Sequence, residues 1–341
     1  MIGYYVHHHG AGHVSRATAI CHEVTALGHE VTGLSTLPRP QGWQGAWVEL
    51  ADDAVPVEGN HQDPTAGGTL HWAPLDHDAY RSRMGALARW LVAHRPEVLV
   101  VDVSVEVTLL ARLLGVPTVV VAMRGQRDDT AHRACYGVAT RLLAPWPADC
   151  PEPWWPVVWL DKTDHVGALT RFDSAPLPEA SGWAAGPGQH GLVLWGRGGG
   201  TGPDPARLAA AMPGWNWYKP SGTGDEVWGE LHAASVVICH AGQNAVAEVA
   251  AARRPAVVVA EPRPFDEQLH TARALEAAGL AVCCERSPDH EQWLALVEQA
   301  LALGGQGWAR WHDGLGARRA AAAISDVARA HPGLLDAQEG R

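Results

Sequence analysis

Residues 236–268 read VVICHAGQNAVAEVAAARRPAVVVAEPRPFDEQ, and this stretch decides the fold. It begins with an apolar, β-branched run, passes through a polar turn at Gly242, and continues as an alanine-rich helix over residues 245–252. A second apolar strand at 256–260 and a proline-broken loop follow. The order strand, turn, helix, strand is typical of a parallel α/β sheet, in which ligands bind beyond the carboxyl ends of the strands.

The turn of this stretch has the properties of a phosphate site. The first N–H groups of a helix have no partner within the helix and carry a partial positive charge, which favours an anion. Gly242 lets the backbone approach a ligand closely, and Glu248, one turn into the helix, can accept hydrogen bonds from a ribose. The stretch therefore predicts a ligand that contains a phosphate and a ribose.

Length and composition limit the class of protein. The 341 residues are enough for two domains of ordinary size. A net charge of −11 without a basic stripe argues against nucleic acid as a partner. The six cysteines lack CxxC spacing, which predicts reduced thiols in a cytoplasmic protein rather than disulfides or a zinc site. We expect no signal peptide, because a strand begins at Ile2 and is followed at once by glycines and histidines. We also expect no transmembrane segment, because no run of 18 apolar residues occurs.

The first half of the chain repeats the strand–helix pattern. A strand over residues 2–8 leads through Gly10-Ala-Gly12-His13 into a helix over 14–27. Arg16 stands where a dinucleotide-binding fingerprint has its third glycine, so we reject that interpretation. His13 follows two glycines at a helix start, and we expect its side chain to face the cleft above the sheet.

Two candidate roles in this half have alternatives. His7-His8-His9 could suggest a metal, but neighbouring strand residues point in opposite directions, which favours packing or site lining. Asp102 ends a predicted strand on the same sheet edge as His13. A carboxylate there can hold an imidazole in one tautomer and stabilise its protonated form, as a general base requires. The alternative is that Asp102 caps the following helix.

Further polar stretches are candidate substrate contacts. Residues 35–80 are long, weakly periodic and rich in proline and glycine, which is typical of a substrate loop. The loop at 124–129 follows a predicted strand, and either contacts an acceptor or is a solvated loop with a capped helix start. Gly196 to Gly202 follow the strand at 191–195 and suit a diphosphate or form a flexible hinge. This loop lacks the Gly-Lys-Ser/Thr ending of a P-loop, so NTP hydrolysis is not supported.

The whole constellation resembles the GT-B glycosyltransferases. His240-x-Gly242-x-Asn244-x-x-x-Glu248, followed by Glu267-Gln268, resembles the donor box of UDP-dependent glycosyltransferases. Gly10-x-Gly12-His13 resembles the opening of peptidoglycan N-acetylglucosaminyltransferases and diacylglycerol glycosyltransferases. The resemblance implies an α/β fold in which two Rossmann-like domains face each other across a cleft. We expect an acceptor domain at 1–165, a linker at 166–188, a donor domain at 189–330 and a flexible tail at 331–341.

The resemblance also implies roles for individual residues. His13 would be the general base, and Asp102 would orient it. The donor contacts would be Gly12, Arg197, Gly198, Gly199, Thr201, His240, Ala241, Gly242, Gln243, Asn244, Glu248, Glu267 and Gln268. The acceptor contacts would be His71, Arg124, Arg127 and Asp128.

The implied reaction is inverting transfer of a sugar from a UDP- or dTDP-sugar to a hydroxyl. We expect no metal and no other cofactor, a small-molecule or lipid-linked acceptor, and a monomer or homodimer. The tryptophan that stacks on uracil in the plant donor box has no clear counterpart, so the nucleobase stays open. Two alternatives remain: a sugar-nucleotide epimerase or phosphorylase on the same fold, and a non-catalytic partner subunit that binds sugar nucleotides.

Overall fold

Two parallel sheets, of seven and five strands, form the framework of the molecule. The computed structural model describes residues 1–8, 11–54, 63–173, 175, 189–196, 200–220 and 224–331. The predicted α/β class is therefore confirmed. Several predicted features lie outside the described residues: His9, Gly10, Arg197, Gly198, Gly199 and the tail after His331.

The first sheet has the strand order β3-β2-β1-β4-β5-β6-β7, and every neighbouring pair is parallel. Its strands are short and largely apolar because helices cover both faces. They are β1 (Ile2–Val6), β2 (Val31–Ser35), β3 (Ala46–Glu49), β4 (Val98–Asp102), β5 (Thr118–Val121), β6 (Arg141–Ala144) and β7 (Thr163–His165). The helices of this half are α1 (Ala11–Ala26), α2 (Asp78–His94), α3 (Val105–Leu113), α4 (Thr130–Val138) and α5 (Val157–Leu160).

The second sheet has the order β12-β11-β10-β8-β9. Its strands are β8 (Gln189–Leu194), β9 (Trp215–Tyr218), β10 (Val236–His240), β11 (Ala256–Val259) and β12 (Val282–Cys284). Its helices are α6 (Pro205–Ala211), α7 (Asp225–Ala233), α8 (Gln243–Ala252), α9 (Glu267–Ala277) and α10 (Trp293–Leu303). From β8 the chain first adds β9 on one side of the sheet and then β10, β11 and β12 on the other side. Ligands of open α/β sheets bind where the strand order changes direction in this way, here between β8 and β10.

The last helix, α11 (Gly316–Ala330), returns to the first sheet. Its apolar face, including Ala320 and Ile324, packs in one cluster with Ile2 of β1 and Ile20 of α1. The predicted donor domain at 189–330 contains this helix, although its packing partners lie in the first half. The boundaries of the domains thus stay a prediction.

Polar contacts outside the cleft also join the two halves. Four such ion pairs connect Asp149 to Arg310 (2.7 Å), Glu152 to His270 (3.1 Å), Asp173 to His312 (2.7 Å) and Arg171 to Glu248 (3.0 Å). The Asp173–His312 pair is buried, whereas the Asp149–Arg310 pair is exposed. Exposed pairs contribute little to stability, so the buried contacts matter more for holding the halves together.

Two expectations from the sequence concern membrane-spanning helices and the cysteines. Among the described residues, no helix combines the length and apolarity required to cross a bilayer. All six cysteines are free thiols, as their spacing predicted.

The packing of α11 can be tested at Ile324, which is fully buried. Replacing Ile324 with Ala should lower the free energy of unfolding by about 2–5 kcal/mol, because the lost methyl groups leave a cavity against the first sheet. Leu303→Ala is the matched control, since Leu303 is 46% exposed at the end of α10, and its effect should stay within about 0.5 kcal/mol. Urea unfolding followed by circular dichroism measures both, and equal losses would contradict this packing.

Candidate active site in the cleft between the sheets

His13 and Asp102 form a hydrogen-bonded pair at the carboxyl edge of the first sheet. His13 lies in the first turn of α1, and its Nδ1 is 3.0 Å from Oδ1 of Asp102. Asp102 is the last residue of β4 and is fully buried. Ser104, and not Asp102, caps α3, since its Oγ accepts from the N–H of Val107 at 3.2 Å. The geometry therefore matches the predicted pair and not the capping alternative.

Arg16 is a third member of this group, which the sequence interpretation noted only as a replaced glycine. Its guanidinium contacts both oxygens of Asp102, with Nη2 2.5 Å from Oδ1 and Nε 3.3 Å from Oδ2. Burial alone would raise the pKa of Asp102, but the charges of Arg16 and His13 outweigh burial and hold that pKa well below its usual range. The spacing of three residues from His13 places Arg16 on the same side of the helix, a signal that was available in the sequence.

The start of α8 meets this group from the second sheet. Nη1 of Arg16 donates to Oε1 of Gln243 at 2.5 Å. Gly12 lies so close to Asn244 that a Cβ at Gly12 would be 2.7 Å from the Asn244 amide nitrogen. Three predicted donor contacts, Gly12, Gln243 and Asn244, therefore lie beside the predicted base.

His240 holds a defined tautomer at the end of β10. The N–H of Gly242 donates to its Nδ1 at 2.9 Å, and the amide nitrogen of Gln268 lies 3.4 Å from the same atom. Burial lowers the pKa of His240, so the ring is neutral near pH 7. Because Nδ1 is the acceptor, Nε2 carries the proton. A Cβ at Gly196 would be 3.1 Å from Nε2, so this N–H faces the turn after β8.

The remaining donor candidates have different surroundings. The Ala241 side chain is buried, and its N–H is used by the carbonyl of Val259 at 2.9 Å. Thr201 is exposed, and its carbonyl accepts from Lys219. Glu248 is buried one turn into α8, where burial raises its pKa and the pairing with Arg171 opposes that rise.

Glu267 and Arg127 face each other across the cleft. Oε2 of Glu267 is 3.5 Å from Nη2 of Arg127, and the N–H of Gln126 donates to the carbonyl of Phe265 at 2.7 Å. Burial raises the pKa of Glu267, and the charge of Arg127 opposes that rise most strongly. A residue of the predicted donor set thus contacts a residue of the predicted acceptor set.

A cavity of about 130 Å³ lies beyond the ends of β4 and β5. His71, Trp72, Arg127, His132 and Tyr136 are among its lining residues, together with His7. The ring of His7 stacks on His13, with centroids 5.3 Å apart and an angle of 27° between the planes. The cavity is therefore one side chain away from the predicted base.

Two predicted acceptor residues do not line this cavity. The guanidinium of Arg124 is buried, is 2.7 Å from Oε1 of Glu152 and lies over the ring of Trp146. Asp128 is exposed, and its carbonyl accepts from Arg133 at 2.6 Å. The cap of the next helix is Asp129, so this loop combines the predicted capped helix start with one cavity residue, Arg127.

Among the described residues, two groups of side chains have metal-ligand chemistry. Their donor atoms lie within 4.8 Å of one another, and the groups are His71, Asp129, His132 and His8, Asp52, Asp53. Arg127 donates to Nε2 of His132 at 2.9 Å, so Nδ1 carries the proton that Asp129 accepts and offers no lone pair to an ion. In the second group the Arg83 cation lies 3.7 Å from Asp53. Both arrangements disfavour a bound cation, and the expectation of no metal stays a prediction.

A cavity of about 610 Å³ adjoins the donor box. Its lining includes Trp195, Thr201, Glu261, Arg286 and Trp293. Trp195 contacts His240 edge-on at 5.6 Å and donates to Glu261 at 3.1 Å. No sequence motif includes Trp195 or Glu261. Their place beside the donor box is visible only in the fold, where Trp195 contacts His240, 45 residues later, and Glu261, 66 residues later.

Backbone strain is present on both sides of the cleft. Val103, directly after Asp102, has a φ of 62°, and Phe265 and Asp266, directly before Glu267, have φ values of 61° and 52°. A β-branched residue such as valine rarely adopts positive φ, and such strain concentrates at functional sites. These three residues flank the side chains that the sequence marked as functional.

Comparison with known proteins agrees with the resemblance. Residues 219–303 match the model of the glycosyltransferase family 28 C-terminal domain. The matching residues include the donor box from His240 to Gln268. Two strains of Nitratidesulfovibrio vulgaris contain relatives named UDP-N-acetylglucosamine–N-acetylmuramyl-(pentapeptide) pyrophosphoryl-undecaprenol N-acetylglucosamine transferase, each 36% identical over 101 residues. The match covers 29% of this chain and just over a quarter (27%) of each relative.

Solved glycosyltransferases share the fold over the whole chain. The spinosyn rhamnosyltransferase SpnG with spinosyn aglycone has a TM-score of 0.62 and 21% identity, with full coverage of both chains. The glycotransferase of kitacinnamycin has 0.66 and 16%, covering 96% of this chain and 98% of that one. MurG of Acinetobacter baumannii has 0.60 and 16%, covering 96% and 99%. The predicted GT-B fold is confirmed.

The pKa of His132 gives a test of the cavity's electrostatics. Burial first, and then the charge of Arg127, lower this pKa to about 4. The unfolded chain therefore binds the proton first as the pH falls, and stability should decrease from about pH 6.5 to about pH 4, by about 3 kcal/mol at most from this residue. His132→Gln should make the unfolding free energy less dependent on pH in this window.

The control for that measurement is His22→Gln, since the His22 side chain is 58% exposed. Denaturant unfolding at several pH values compares the slopes of the two variants. Other buried histidines, such as His240, contribute in the same direction and stay unchanged in both. Identical slopes for His132→Gln and wild type would contradict the neutral, buried His132.

Proposed function

We propose that the protein transfers a sugar from a nucleoside diphosphate to an acceptor hydroxyl, with inversion at the anomeric carbon. The proposal rests on one observation: the candidate base and the candidate phosphate site lie in the same cleft. His13 and Asp102 form a pair at the edge of the first sheet, and Arg16, which contacts both, reaches Gln243 at the start of α8. This helix lies within the residues that match the family 28 domain. A base candidate and a phosphate-binding helix start are both required for this reaction.

The donor diphosphate would lie at the start of α8. No side chain of the described residues caps this helix, so its first N–H groups are open to an anion. The Nε2–H of His240 faces the turn after β8, so it would donate to the diphosphate from that side. Both donors would stabilise the charge that develops on the leaving diphosphate. Glu267 and Gln268 would bind hydroxyls of the sugar.

We propose a UDP- or dTDP-sugar as the donor. The names of the Nitratidesulfovibrio relatives specify UDP-N-acetylglucosamine, and one solved structure of SpnG is described as complexed with thymidine diphosphate. Both are pyrimidine nucleoside diphosphates, and the cavity of about 610 Å³ beside His240 is large enough for part of such a ligand.

The chemical step assigns one role to each member of the pair. Nδ1–H of His13 donates to Asp102, so Nε2 is the atom that accepts the proton of the acceptor hydroxyl. The acceptor oxygen forms its bond to the anomeric carbon while the bond to the diphosphate oxygen breaks. The carboxylate of Asp102 stabilises the imidazolium that results, and one displacement gives inversion.

The acceptor would enter from the cavity beside His7. Its volume of about 130 Å³ admits a group about the size of one ring, with the rest of the acceptor outside. SpnG is described as complexed with spinosyn aglycone, and the name of the Nitratidesulfovibrio relatives specifies a pyrophosphoryl-undecaprenol acceptor, which is lipid-linked. We therefore propose a hydroxyl of a small molecule or of a lipid-linked acceptor.

The base is tested with His13→Ala in an assay of transfer and in a separate assay of nucleotide-sugar binding. The rate should fall about 10²–10⁴-fold, because proton removal then depends on water, while donor affinity stays close to wild type. His22→Ala, which changes an exposed histidine of the same helix, should keep the wild-type rate. Unchanged transfer by His13→Ala would exclude His13 as the base.

The sugar contact is tested with Glu267→Gln. A charge-assisted hydrogen bond to a hydroxyl is lost, so affinity for the UDP-sugar or dTDP-sugar should fall about 10- to 100-fold. Affinity for UDP or dTDP alone should not change, and this pair of ligands is the internal control. Titration calorimetry measures both, and an equal loss for the two ligands would place Glu267 on the nucleotide instead.

A further inference from the structure

One guanidinium connects the two halves of the proposed site. Arg16 is buried, contacts both oxygens of Asp102, and has its Nη2 3.1 Å from Nδ1 of His13. Its third nitrogen, Nη1, reaches Gln243 at the start of α8. Arg16 therefore contacts the pair from the first sheet and the donor helix of the second sheet at the same time.

The charges around His13 come from several elements. Arg16 lies on the same helix, Asp102 at the end of β4, Glu267 at the start of α9, and His7 stacks on the ring from the segment after β1. The Asp102 and Glu267 carboxylates favour a protonated imidazole. The Arg16 guanidinium opposes protonation and neutralises the charge of Asp102, so it favours the neutral ring that can act as a base.

The position of the Gln243 side chain depends on its contact with Arg16. Its Oε1 accepts the Arg16 hydrogen bond, while its Nε2 is buried and has no hydrogen-bond partner among the described residues. A buried amide nitrogen without a partner is rare in folded proteins. That N–H₂ group lies in the first turn of α8, where a diphosphate oxygen of the donor would accept its hydrogen bond.

We propose that Arg16 is a positioning residue for the transfer reaction: it orients Asp102 against His13 and, through Gln243, fixes this pair relative to the donor helix. This inference rests on the proposed function of the His13–Asp102 pair. It adds a residue that places its charge beside the base and couples the base to the donor site. Bidentate contact with a carboxylate explains why an arginine stands there, since lysine cannot make it.

The test compares Arg16→Met and Arg16→Lys in profiles of kcat/KM against pH. Arg16→Met should lower the maximal kcat/KM about 10- to 100-fold and move the acid limb about one pH unit higher, because uncompensated Asp102 stabilises the imidazolium. Arg16→Lys keeps the charge, so its acid limb should stay near that of wild type at a reduced rate. Thermal unfolding of both variants identifies any loss of fold.

An Asp102→Asn background separates action through Asp102 from a general effect. There, Arg16→Met should leave the acid limb of the single Asp102→Asn variant in place. An Arg16→Met profile with a wild-type acid limb, or the same shift in both backgrounds, would overturn the assignment. If His13 is not the base, His13→Ala will transfer the sugar at the wild-type rate. That result distinguishes failure of the proposed function from failure of the role of Arg16.

The connection to α8 has its own variant, Gln243→Leu. It removes the contact with Arg16 and the buried amide, so KM for the nucleotide sugar should rise several-fold while the acid limb stays in place. A wild-type KM for the donor would overturn the coupling between Arg16 and the donor helix.

Discussion

The carboxylate of Asp102 is fully buried, and much of the cleft is arranged to compensate its charge. An isolated buried carboxylate is too unfavourable to stay ionised, so it requires hydrogen-bond donors and a counter-charge. His13 and Arg16 supply both from the first two turns of α1. This requirement fixes where α1 begins relative to β4, and it places the imidazole at the carboxyl edge of the sheet.

The same compensation constrains the second sheet. Because Arg16 has donors left after binding Asp102, it takes Gln243 as a further partner, and Gly12 gives Asn244 the space to lie against α1. At Gly125, whose φ is 107°, a Cβ would be 2.3 Å from the carbonyl of Phe265. In the cleft, the two halves thus meet through close backbone contacts and polar side chains, whereas apolar packing joins them where α11 lies on the first sheet.

Local motifs were the predictable part of the site. The donor box lies within one strand–turn–helix unit, so the sequence spacing from His240 to Glu248 determines how these residues lie relative to one another. The contact of Arg16 with Asp102 had a signal in the sequence, the spacing of three residues from His13. Its contact with Gln243, 227 residues away, had none, because no local pattern shows how the two sheets face each other. Arg124 shows the opposite case: its position after a strand indicated a substrate contact, but the direction of its side chain is set by Glu152, 28 residues later.

The fold was predictable where elements repeat and less so where they are short. The strands β6 and β7 have four and three residues, lie in or beside a proline-rich stretch, and give no periodic signal. The sequence of α11 has a clear apolar face, but a pattern does not tell which sheet that face covers. Because α11 packs on the first sheet, the chain passes between the halves a second time, and this second connection restricts how the helix start that would hold the donor can move relative to His13.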